Sequence, residues 1–214
     1  MSERRAVAWA SGALLALFTA ASAGQLRAFW WDTTELHRSL LDFQVHRRLL
    51  MGSGMARMLL VFPFVALAIS FVGEERRART SRALLALAGG LTAVAGVVQM
   101  AMGVASEEYV RAGAADHAIE TLADAMYWVQ DNLVTLSLIC LGAAAVARTP
   151  LASPRVRVWS SRLGLVGAVA VLAAFMFNPS TSRNSPLYYP AFAVAAAGIL
   201  VWIGDLAREA IANQ

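Results

Sequence analysis

The chain has 214 residues, 58% of them hydrophobic and only 15% charged, with a mean hydropathy of +0.57. An ordinary soluble domain is about 45–50% apolar and about 25% charged. Here the apolar residues come in long runs without strand-like alternation, so a bilayer is the expected solvent. The net charge of +4 and the pI near 10.0 do not make a nucleic-acid binder: all 18 basic residues are arginine and sit in short stretches between apolar runs, where they set membrane orientation.

A helix needs about 20 mostly apolar residues to cross the hydrocarbon. The first predicted span covers 6–24, preceded by Arg4 and Arg5. It ends in Ala21-Ser22-Ala23, the small-residue pattern of a signal-peptidase site. A retained span is the favoured reading and a cleaved signal peptide the alternative. Next comes a predicted amphipathic external helix, approximately 33–51. Asp32-Thr33-Thr34-Glu35 has capping-box spacing, and Leu36, Leu40, Phe43, Leu50 and Met51 recur at roughly helical intervals among charges. Gly52-Ser53-Gly54 reads as a break before the second span, 55–73, which Pro63 should kink. The remaining spans are placed at 83–104, 127–147, 163–178 and 187–204, with 178–186 a short external turn. The expected fold is thus an all-α polytopic bundle of about six spans in a single membrane domain, 1–214.

With a cytoplasmic N-terminus, 11 arginines lie inside: 4, 5, 76, 77, 79, 82, 148, 155, 157, 162 and 208. Seven lie outside, at 27, 38, 47, 48, 57, 111 and 183, five of them in the first external segment. The excess predicts that both termini are cytoplasmic. Each of the six tryptophans falls at a predicted span end: Trp9, Trp159 and Trp202 inside, and Trp30, Trp31 and Trp128 outside. Tyr127, Tyr188 and Tyr189 join the outer girdle.

In the third span, Ala86, Gly89, Ala93, Gly96 and Gly103 alternate at steps of three and four, with Met100 filling one position. Small residues along one face allow close backbone approach, so this span is expected to be the packed, central helix. No internal repeat is evident, which argues against a transporter built from inverted repeats.

One polar cluster stands out. Read as a helix from Asp116, the chain places His117, Glu120, Asp124, Tyr127 and Asp131 on one face at steps of three and four. Ionisable residues in membrane helices are costly and raise a functional hypothesis by default. Three readings are open. The acids can pin an external basic face made of Arg38, Arg47, Arg48 and Arg57. A metal or haem can use His117 with Glu120 or Asp124, joined by His37 or His46, since imidazole and carboxylate suit several transition metals. Or Asp131 gates a proton or small-solute pathway, with Gln99 as the deeper polar partner. Nothing resembles HExxH or GxSxG. Cys140, inside an apolar run, reads as packing rather than a reactive thiol.

The layout resembles a broad group of uncharacterised bacterial six-helix membrane proteins. The matching stretches are RRLLMGSGMARMLLVF at the end of the first external segment, EERRARTSR in the first cytoplasmic loop and SSRLGLVGAVAVL entering the fifth span. The resemblance implies a bacterial cytoplasmic membrane and carries no catalytic residues. The leading functional expectation is a non-enzymatic accessory, assembly or sensory component, contacting lipid or other membrane subunits through its external layer. A small transporter or channel-like protein using the outer end of span 4 is the alternative, and a haem- or metal-binding redox subunit the second.

Overall fold

The computed structural model describes residues 3–29, 40–71, 75–113, 116–151, 153–177 and 188–212. Every element among them is helical: α1 (Glu3–Phe29), α2 (Leu40–Val45), α3 (Arg47–Leu59), α4 (Val61–Ser70), α5 (Arg76–Arg111), α6 (His117–Arg148), α7 (Arg155–Phe177) and α8 (Tyr188–Ala212). Six stretches are long and apolar enough to cross a bilayer: Arg5–Ser22, Arg47–Ser70, Arg76–Arg111, His117–Arg148, Arg155–Ala174 and Pro190–Ala212. Each predicted span falls on one of them. The proposed capping box at Asp32 and the turn at 178–186 lie outside the described residues.

One expectation needs correction. Gly52-Ser53-Gly54 is not a break but lies inside α3, which runs without interruption from Arg47. The helix is interrupted at His46 and again at Leu60. Leu60 itself keeps right-handed helical angles, and its N–H reaches the Ala56 and Arg57 carbonyls at 3.1 and 3.2 Å. Pro63 has no N–H for the carbonyl one turn earlier, so the interruption precedes it. The two glycines cost helix propensity, about 1 kcal/mol each. At Gly54 access offsets that cost: a Cβ there would lie 3.1 Å from the Gly96 carbonyl oxygen, whereas one on Gly52 meets nothing within 4 Å.

The backbone divides into two compact units. Unit 1 contains residues 1–15, 61–91 and 134–214. Here α7 and α8 pack backbone to backbone. A Cβ on Gly167 would collide with the Ala195 backbone, and one on Gly198 would lie 2.7 Å from the Ser160 carbonyl oxygen. Two serines tie α5 to α6: Ser81 donates to the Ala144 carbonyl at 3.1 Å, and Ser137 to the Ala88 carbonyl at 2.9 Å. Gly89 lets the Phe64 ring of α4 lie against α5.

Unit 2 contains residues 16–60 and 92–133. Gly96 faces Gly54 and Met58, and Gly103 faces Met51 and Phe43. Ser53 donates to the Ala21 carbonyl at 2.7 Å, joining α3 to α1. Two apolar clusters complete it: Phe43, Leu50 and Met102 with Met126 and Tyr127, then Leu40, Tyr109 and Ala123. The connection from α5 to α6 is set locally. Gly113 takes a φ of 77°, the left-handed conformation that glycine adopts without steric cost, and so ends α5. Asp116 Oδ1 then accepts the Ala118 and Ile119 amides at 2.9 and 3.2 Å, capping α6.

Along α5 the buried residues other than glycine follow a heptad, Ala78, Ser81, Leu85, Ala88, Thr92, Ala95, Gln99, Met102, Ser106 and Tyr109, with Gly89, Gly96 and Gly103 buried beside it. Steps of three and four give the knobs-into-holes seam of a left-handed crossing. The stripe expected from sequence only partly coincides with it. Gly89, Gly96 and Gly103 border the seam, Ala93 is half-buried and Ala86 is exposed.

Close packing at Gly96 is testable. A Cβ there would lie 2.5 Å from the Gly54 oxygen and 2.9 Å from Met58 Cγ, whereas one on Gly90 meets nothing within 4 Å. Gly96→Leu is expected to destabilise the detergent-solubilised protein by about 2 kcal/mol or more. Gly90→Ala should be neutral or stabilising by up to about 1 kcal/mol. Thermal unfolding of the two variants decides it, and equal midpoints would reject the interlock.

Candidate functional site

The polar residues singled out from sequence separate into two groups, both in unit 2. The first lies where α5 ends and α6 begins. Arg47 Nη2 donates to Glu107 Oε2 at 2.6 Å, tying α3 to α5. Glu107 also accepts from Arg111 at 3.2 Å, and Arg111 meets Glu108 as well. Ser106 donates to the Gln44 side-chain oxygen at 3.1 Å. The ion-paired side chains are about two-fifths to two-thirds exposed, so each ion pair is worth less than about 1 kcal/mol. The acids that meet Arg47 and Arg111 are thus Glu107 and Glu108, neither of which belongs to the acidic cluster expected from sequence.

His117 and Glu120 belong to this outer group. The His117 side chain is 95% exposed, with Nδ1 3.3 Å from Glu120 Oε2. Arg48 is exposed and His46 half-buried. His37, Arg38 and the Asp124 side chain lie outside the described residues. Among the described residues, no three histidine, cysteine, aspartate or glutamate side chains converge as metal ligands.

The second group is buried. Arg57 is 6% exposed, Gln99 1%, Gln130 2% and Asp131 7%. Contacts in unit 2 place them at one level. The cluster of Phe43, Leu50 and Met102 packs on Met126 and Tyr127. Gln99 stands one helical turn from Met102, and Gln130 and Asp131 about one turn beyond Tyr127. Gly54 opposes Gly96 and Gln99, and Arg57 lies one turn past Gly54. All four therefore fall within about 10 Å along the helix axes. Arg57 and Asp131 each engage another group. Gln99 Nε2 donates to the Leu50 carbonyl at 2.7 Å. By contrast, the Gln99 and Gln130 side-chain oxygens are buried and accept no hydrogen bond.

The single helical face expected from His117 to Asp131 is therefore divided. Its first turns carry water-facing side chains, while Asp131 turns inward. Gln130, which is not among the residues singled out from sequence, occupies the seam of α6, seven residues after Ala123 and seven before Ser137, all three buried. That heptad spacing was visible in sequence.

A buried carboxamide oxygen without a donor costs about 1–3 kcal/mol. Replacing Gln130 with a methionine of similar length removes that oxygen. Gln130→Met is expected to raise the stability of the unliganded protein by about 1 kcal/mol, measured by thermal unfolding in detergent. A lower midpoint would mean that the carboxamide supports folding through a partner.

No family model, no curated protein and no solved structure matches this chain.

Proposed function

We propose that this is a multi-pass protein of a bacterial cytoplasmic membrane, non-enzymatic, acting as an accessory, assembly or sensory component through the layer it presents outside the bilayer. One observation carries the reading. Helix α5 has 36 residues and α6 has 32, or about 54 and 48 Å at 1.5 Å per residue, whereas the hydrocarbon is only about 30 Å thick. Their facing ends must extend into headgroups or water. There the ion pairs of Arg47, Glu107, Glu108 and Arg111 hold a defined surface, beside exposed Val110 and Leu122. Rigid charge next to exposed apolar side chains suits a membrane-protein partner or lipid headgroups. The arginine distribution supports placing this end outside and both termini in the cytoplasm.

A second reading is favoured by the buried group. Arg57, Gln99, Gln130 and Asp131 form a polar level within apolar surroundings, and two of their oxygens lack donors. Such a level suits a proton or a small polar solute passing Asp131.

Two experiments test these readings. A photo-crosslinker at Val110 or Leu122 should give a discrete partner adduct in native membranes, while one at Val169, an exposed residue of α7 in unit 1, should give lipid adducts only; identical adduct patterns would reject the docking layer. In proteoliposomes, a pathway through Asp131 should release an imposed proton gradient, and Asp131→Asn should slow the release about tenfold or more, the scale of one charge-assisted contact. Release no faster than from empty vesicles would reject the pathway. For orientation, a reporter fused after Gln214 should be active only if it requires the cytoplasm.

A further inference from the structure

Unit 1 contains a cavity of about 510 Å³ at the ends of several helices, within the roughly 300–1,000 Å³ of small-ligand sites. The last turn of α4, the end of α6 with the residues after it, the first turns of α7 and the last turns of α8 all reach it.

Among the described residues that line it, arginines outnumber acids, with Arg148 and Arg157 against Glu209. On one side Arg157 is 14% exposed and donates to Asp205 at 2.7 Å and to Glu209 at 2.7 Å, while Arg208 reaches Asp205 at 3.4 Å. Two guanidiniums there meet two carboxylates. Arg148 is a third cation on the wall, and among the described residues no ion pair engages it. Its guanidinium lies 4.7 Å from the centroid of the Phe71 ring. A guanidinium held over a ring face by cation–π attraction keeps N–H groups that can still donate. Next to it, Thr149 Oγ1 accepts the Trp202 indole N–H at 3.0 Å. That bond uses a lone pair of the hydroxyl and leaves its hydrogen to be donated elsewhere. Phe71, Trp202 and Leu206 supply apolar wall.

A fork of donors, a neutral donor beside it and an apolar wall recognise a tetrahedral oxyanion that carries a hydrocarbon chain. Basic pockets between helix ends at a membrane surface bind lipid head groups by the same chemistry. We propose that this cavity binds the phosphate of an amphiphile, Arg148 pairing with the charge, Thr149 donating a hydrogen bond, and Phe71 and Leu206 flanking the chain. The proposal rests on the six-span reading and is independent of the docking layer.

The test uses the full chain in non-ionic detergent, with native mass spectrometry as readout. Wild-type protein should retain phosphatidylglycerol about tenfold more tightly than phosphatidylcholine. Arg148→Gln should weaken that affinity about tenfold, the scale of one charge-assisted pair. Arg162→Gln, at an exposed arginine of α7, should leave it unchanged. Displacement by inorganic phosphate would identify the phosphate alone as the recognised group; retention of the lipid against phosphate would identify the lipid. In case Arg148→Gln fails to fold, a second measurement keeps the original charge. Brominated phosphatidylglycerol should quench the part of the emission that Trp202→Phe removes. Equal retention of both lipids, wild-type binding by folded Arg148→Gln, or no quenching of the Trp202 emission would overturn the site. If the chain stayed soluble without detergent, the six-span reading itself would fail, an outcome separate from these.

Discussion

Close approach of helix backbones is the constraint on which the rest of this structure depends. In lipid, apolar side chains gain little by leaving the solvent for one another, so association must come from van der Waals contact and internal hydrogen bonds. The protein meets that demand with missing side chains. In unit 2, Gly54 and Gly96 lie against each other across α3 and α5; in unit 1, Gly164 and Gly198 do so across α7 and α8. Serine hydroxyls add bonds to neighbouring carbonyls at Ala21, Ala88 and Ala144. Each such hydroxyl is short enough to allow the contact that its hydrogen bond then fixes.

Charge is distributed on a different principle from packing. The exposed pairs around Glu107 add little to stability, but they define a surface. The pairing of Arg157 with Asp205 is nearly buried and couples the start of α7 to the end of α8, near the place where Gly164 and Gly198 meet. Losing one member of such a pair would leave the other charge in a poorly hydrated position, which costs far more than the pair itself contributes. The Arg57 level of unit 2 and the Arg148 cavity of unit 1 are therefore places where the chain keeps polar groups that packing alone would have removed.

The helical class and the number of long apolar helices were legible in the sequence because long apolar runs separated by arginines have few other physical meanings. Which face of each helix is buried was much less legible. In a bilayer both faces are apolar, so hydrophobic periodicity hardly distinguishes a neighbour from lipid. Trp202 illustrates this. It stands at a span end, as the other tryptophans were placed, yet it is fully buried with its indole N–H on Thr149, while Trp9, Trp128 and Trp159 are exposed. Arg57 was read as part of an external basic face and is instead buried. The Gly52-Ser53-Gly54 run was read by the rules of soluble loops, whereas in α3 Ser53 and Gly54 serve contact. What did carry information was heptad spacing of small and polar residues, which on α5 and α6 marks the seam more faithfully than hydrophobicity.

The turn between the two longest helices has a consequence for how the chain is made. Gly113 ends α5, Asp116 caps α6, and residues 112–116 separate the helices, so the stop and the cap described here are both local in sequence. Both arms of this hairpin precede α7 and α8 in the chain. The two helices can therefore pair through contacts of their own, Ser137 on the Ala88 carbonyl among them, and offer α7 and α8 a surface already formed.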